Sequence, residues 1–93
     1  MIGKEVRPRL ASKARLRFDR HAQRHMLLYP DRGMLLNPSA AAIVQLCTGE
    51  NTLEQIVQQL SAADSGASPA QLEQDVQAFL AQLLERALVR LEP

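Results

Sequence analysis

The sequence predicts an α+β fold: a three-stranded antiparallel sheet followed by three helices. Three observations carry this. Residues 15–37 hold short apolar runs separated by turn chemistry. Three helix-start signatures follow, at Asn37-Pro38, at Thr52 with Gln55, and at Ser68-Pro69 with Gln71. The chain has 93 residues, 46% apolar and 23% charged, which suits one globular domain with a modest core.

The elements follow in order. Residues 1–14 contain Pro8 and show no clean period, so they read as a flexible basic arm, with a domain over 15–93. In "RLRFDRH", Leu16 and Phe18 alternate with Arg15, Arg17 and Asp19, the pattern of a half-buried strand. "HMLLY" is a second strand, apolar at consecutive positions and so partly covered on both faces. Pro30-Asp31-Arg32-Gly33 is a turn, with Pro presetting φ and Gly tolerating a positive one. "MLLN" is the third strand. Two tight connections in a row give a meander in order 1-2-3, which leaves the third strand on an edge. The first helix runs over about 38–48, with Gly49 as its C′ residue. The second covers 53–63, with Leu53, Ile56, Val57 and Leu60 on one stripe. "SAADSGAS" reads as a loop, and the third helix extends from Pro69 to about Arg86. "ALVRLEP" closes the chain, its apolar residues packing back singly. Three strands and a short helix–turn–helix pair make the domain winged-helix-like.

Several function classes find no support. The chain has no run of 18 apolar residues and no apolar signal segment. Its single cysteine, Cys47, excludes an internal disulfide and reads as a small buried hydrophobe, in keeping with a cytoplasmic protein. His21 and His25 flank the first hairpin turn without metal-ligand spacing around them. No catalytic motif or acid–base pair stands out, so neither catalytic residue nor cofactor is expected. The net charge of +1 hides an asymmetry: residues 1–25 hold eight Lys and Arg against Glu5 and Asp19, whereas 26–93 hold three Arg against eight carboxylates. Such segregation suits electrostatic partner selection, or simply a solvated arm and solvated helix faces. A winged helix also suggests a DNA-binding regulator as the alternative function. Against it, the second and third helices carry Glu54, Glu73, Asp75 and Glu85, the wrong sign for phosphate.

The third helix carries a wide apolar arc. With Leu72 at zero on a wheel of about 100° per residue, Phe79, Leu83, Val76, Leu80, Leu84 and Leu88 span roughly 180°. A small core can use all of it, or one side can face outward. The third strand raises the same question, since consecutive Met34, Leu35 and Leu36 put an apolar residue on each face. An apolar edge strand is a liability unless something pairs with it. A peptide adding as a fourth strand would pair with the edge and drop its side chains beside the helix. The candidate peptide-binding residues are therefore Met34, Leu35, Leu36 and Asn37 on the strand, and Leu72, Asp75, Val76, Phe79 and Leu83 on the helix. The same edge allows a homodimer, through strand pairing or hairpin exchange.

The stretches "RPRLA", "RLRFD", "LLYPDRG", "SAAAIVQLCTGENTLEQIVQQL" and "FLAQLLERALV" together resemble the pyrroloquinoline quinone (PQQ) biosynthesis protein D family, PqqD. The likeness covers residues 7–91 and lies in the order and spacing of many modest matches. It implies a winged-helix-like peptide-recognition element of ribosomally made, modified peptides. It further implies a non-enzymatic chaperone that binds the precursor peptide of PQQ and hands it to a radical S-adenosylmethionine enzyme. In the family the peptide adds beside the third strand and against the third helix. Family members often have an aromatic residue where this chain has His25-Met26, and Gly where it has Ala87.

Overall fold

The computed structural model describes residues 2–63, 66 and 68–93. Its elements are β1 (Arg7–Leu10), β2 (Arg15–Asp19), β3 (Arg24–Tyr29), β4 (Arg32–Leu36), α1 (Pro38–Leu46), α2 (Leu53–Ala63), α3 (Pro69–Glu85) and β5 (Val89–Glu92). The expected meander is β2-β3-β4, an antiparallel sheet with β4 on one edge. Of the expected loop over 61–68, Asp64, Ser65 and Ala67 lie outside the described residues.

The helix starts form as their sequences require. Asn37 Oδ1 accepts the Ala40 N–H at 2.7 Å. Thr52 Oγ1 accepts from Gln55 N at 3.1 Å while Gln55 Oε1 accepts from Thr52 N at 2.8 Å, a reciprocal capping box. Ser68 caps α3, but Gln71 turns its amide to Asp75 Oδ1 instead of back to the cap. The last turn of α3 ends in a Schellman arrangement: Leu88 N donates to Leu83 O, Ala87 N donates to Leu84 O, and Ala87 sits at φ 56°. Alanine here occupies a left-handed position that glycine fills more cheaply.

Residues 2–14 are not a loose arm. This corrects the domain boundary expected at residue 15. β1 pairs antiparallel with β5 in a second, two-stranded sheet, with Arg7 opposite Glu92 and Leu10 opposite Val89. Lys4 O and Val6 O accept the first-turn N–H groups of Glu54 and Leu53, so the segment serves as a backbone cap for α2. Leu10 N donates to Cys47 O, Gly49 N to Pro8 O, and Ala11 N to Leu88 O. Pro8 is fully buried and Ala14 belongs to the core. The pattern is invisible locally because the satisfying groups lie 37 to 85 positions away. The closing residues "VRLE" are likewise a strand, not a tail packing one residue at a time.

Two further expectations change. The turn between β3 and β4 is the two-residue Pro30-Asp31, since Tyr29 faces Arg32; Gly33 lies in the strand opposite Leu28. Its use is room: a Cβ there would stand 3.0 Å from Met26 Sδ and 3.2 Å from Leu28 Cδ2. Gly49 lies one residue beyond the C′ position of α1, with φ 83° and the Arg9 guanidinium against its Cα.

Cross-strand partners share a face of the sheet. Leu16, Leu27 and Met34 face the helices, as do His25 and Leu36; Arg17, Met26 and Leu35 face away, as do Arg15 and Leu28. α1 packs on this sheet, α2 packs on α1 and α3, and α3 meets β5. The shared core holds Leu27, Leu53, Ile56, Val76, Leu80, Leu83 and Leu88, all fully buried.

Candidate functional site

β4 has one neighbour, β3, so one side of its backbone is unpaired. In an antiparallel ladder inward and outward bonding alternate along the strand. Tyr29 and Arg32 flank the two-residue turn and exchange the first bonds, so Arg32, Met34 and Leu36 bond inward. Gly33 and Leu35 therefore turn their N–H and C=O groups to the open edge.

α3 runs opposite in sense to β4, from where β4 passes into α1 to the turn end of the hairpin. Near its C-terminus Arg86 Nη1 lies 3.5 Å from Tyr29 Oη, at the turn end of the hairpin. Further up the helix, Asp75 and Phe79 share a cavity of about 240 Å³ with Asn37, Ser39, Ala40 and Ile43, where β4 runs into α1. A second cavity, of about 230 Å³, adjoins it through Ser39, Ile43 and Asp75, and continues past Pro38, Ala42, Leu60 and Leu72. Together they make an apolar trough starting at the end of β4. Asp75 is the one ionisable side chain lining either cavity, and its carboxylate accepts from Gln71 Nε2 at 3.0 Å.

The nine candidate residues divide. Leu72, Asp75 and Phe79 line the trough. Met34 is half-buried on the helix-facing side of the edge strand, and Leu35 is 46% exposed but turned to the outer face. Asn37 lines the first cavity while its side chain caps α1. Leu36, Val76 and Leu83 are 2%, 0% and 0% exposed. Val76 lines the second cavity's floor, but these three residues act as core, with little or no surface to offer a ligand. The wheel overcounted because α3 packs on α2 on one flank and on β5 on another. Ser39, Ala40 and Ile43 were missed. Their signal was the Asn37-Pro38 start, which places the first turn of α1 directly after the edge strand.

Elsewhere, Cys47 Sγ reaches Ile43 O at 3.3 Å, and burial pushes its thiol pKa up to about 12, which removes it as a nucleophile near neutrality. His25 meets the Phe18 ring edge-on at 5.2 Å. Among the described residues no three His, Cys, Asp or Glu gather as a metal site, and no helix is long and apolar enough to cross a membrane.

Comparisons with known proteins agree with this fold. The solution structure of the PqqD truncation of Methylobacterium extorquens PqqCD, described as a functional stand-alone recognition element for ribosomally synthesised and post-translationally modified peptides, superposes with a TM-score of 0.80. It is 38% identical, over 96% of this chain and 93% of that one. The bifunctional coenzyme PQQ synthesis protein C/D of Methylorubrum extorquens is 39% identical over 88% of this chain, which spans 22% of that longer protein. The PqqA binding protein of Rhodopseudomonas palustris is 34% identical over 95% of this chain and 85% of its own length. The family model for coenzyme PQQ synthesis protein D matches residues 24–89, from the start of β3 to the start of β5. An unpaired β4 edge, within a chain alike from end to end, has its explanation in descent: the chain belongs to the PqqD family.

Proposed function

We propose that this chain is a non-enzymatic peptide-binding adaptor of PQQ biosynthesis, acting in the cytoplasm. It binds the precursor peptide and presents it to the radical S-adenosylmethionine enzyme of the pathway. The observation that carries the reading is the unpaired edge of β4 lying beside the trough between α1 and α3. The peptide adds antiparallel to β4, bonding to Gly33 and Leu35. Its inward side chains enter the trough against Ala40, Ile43, Leu72 and Phe79. Relatives named PqqA binding protein support the choice of a peptide as ligand.

Energies say which part of the site dominates. The four outward groups of Gly33 and Leu35 contribute about 1 kcal/mol each, net. Ordering a five-residue strand costs about 1–2 kcal/mol per residue. The bonds alone do not cover this, so apolar side chains must, at roughly 1.5–3 kcal/mol for each one buried. Balances of this kind give affinities from about micromolar to sub-micromolar. The edges of two copies could pair instead, and self-pairing and peptide binding exclude each other.

DNA binding is disfavoured by chemistry: α2 and α3 contain neither Lys nor Arg. The test is an amide-shift titration with the precursor peptide. Shifts should cluster on residues 33–37, 39–43 and 71–79. Shifts confined to 53–63, with the edge unmoved, would overturn the reading.

A further inference from the structure

We infer that the outer face of the β2-β3-β4 sheet is a second docking surface, built for the carboxylate-fringed apolar patch of the enzyme that receives the peptide. This rests on the delivery role proposed above. The face is apolar at its centre, where Met26 and Leu28 are half-buried and Leu35 is 46% exposed. Gly33 keeps it low, since the Met26 and Leu28 side chains lie over the space that a Cβ would take. Beside the apolar strip a cavity of about 470 Å³ is lined by Arg17, Phe18, Asp19, Arg20, His21, Met26 and Leu28.

The rim is basic and unneutralised. Arg15 and Arg17 share this face, Arg20 follows in the adjoining turn, and all three are exposed. The ion pairs among the described residues are Lys4–Glu73 and Arg9–Glu92, neither of which involves these arginines. The one carboxylate lining the cavity, Asp19, accepts the N–H groups of His21 and Ala22, and the three arginines outnumber it. An apolar centre with an arginine rim has the composition of a protein interface, and its charge selects an acidic partner. The positive charge concentrated in residues 1–25 thereby finds a use.

The location also suits delivery. A peptide added at β4 extends the same sheet, and alternate side chains of a strand point to opposite faces. One set enters the trough; the other emerges on the outer face, level with Leu35. An enzyme seated on Met26, Leu28 and Leu35 would meet adaptor and peptide side chains on one continuous surface.

The test measures binding of the purified radical enzyme to the wild-type adaptor, to an Arg15→Glu/Arg17→Glu variant and to Met26→Ser. Measurements are made at about 0.05 M and about 0.5 M salt, either side of physiological screening. Peptide affinity is measured in parallel as the control for folding. The expected result is a rise of about tenfold or more in the enzyme Kd for the charge-reversal variant at low salt, shrinking at high salt. Met26→Ser should weaken binding at both salts, and both variants should hold the peptide within about twofold of wild type. If wild type binds the enzyme and both variants bind it equally well, this surface is refuted while delivery stands. If wild type binds the peptide but never the enzyme, delivery itself fails and the surface with it.

Discussion

Deleting residues 1–12, so that the chain starts at Lys13, should abolish the fold. The deletion removes five long-range backbone hydrogen bonds between the segment and the rest: Leu10 to Cys47, Ala11 to Leu88, Gly49 to Pro8, Leu53 to Val6 and Glu54 to Lys4. At about 1 kcal/mol net each they total roughly 5 kcal/mol. The ladder with β5, the buried Pro8 ring and the two bonds joining the Ile2 backbone to the Gln77 amide come on top of this. A domain of this length is stable by roughly 5–14 kcal/mol in all. The loss is therefore comparable to the whole. Far-UV circular dichroism with urea titration measures it, by linear extrapolation to water. A truncated chain that unfolds cooperatively, within about 2 kcal/mol of the full-length protein, would refute the reasoning.

Other perturbations separate edge, core and cap. Leu35→Pro removes an outward N–H and should weaken peptide binding by about tenfold, with the circular dichroism spectrum preserved, since edge strands tolerate proline. Val76→Asp puts a carboxylate at a fully buried position and should unfold the chain outright, visible as a lost thermal transition. Ala87→Gly relieves a positive φ of 56° and should raise stability by about 0.5–1 kcal/mol in urea titration; an unchanged midpoint would count against the strain. Cys47, pushed up from 9.0 to about 12 by burial, keeps its proton in the folded state while the unfolded chain ionises. Stability should accordingly be whole below pH 9 and fall as pH rises from there toward 12, and Cys47→Ala should flatten that part of the profile.

What could be read without coordinates was whatever depends on neighbours a few positions apart. Asn37-Pro38, Thr52 with Gln55 and Ser68-Pro69 each place a side-chain acceptor within reach of the N–H groups it satisfies, so three helix starts were evident from spacing. The β2-β3-β4 meander was equally local, because its turns are short, and with it came the β4 edge. Leu72, Asp75 and Phe79, which the sequence offers as peptide-binding residues, line the cavities where β4 runs into α1. The resemblance to the PqqD family, carried by order and spacing along the chain, was legible for the same reason.

Tertiary structure alone decided the rest. β1 and β5 are four residues each, and neither "RPRL" nor "VRLE" is long enough to announce a strand. They exist because each supplies the other's backbone partners across 79 to 85 positions of chain. That pairing turned an expected flexible arm into the cap of α2, and helped cover the flank of α3 that the wheel had left open. Val76 and Leu83 moved from candidate site to core because α2 and β5 cover α3, and Leu36 because α1 packs on its face of the sheet. A helix's apolar arc reports how much surface must be covered, and only packing decides whether protein or ligand covers it.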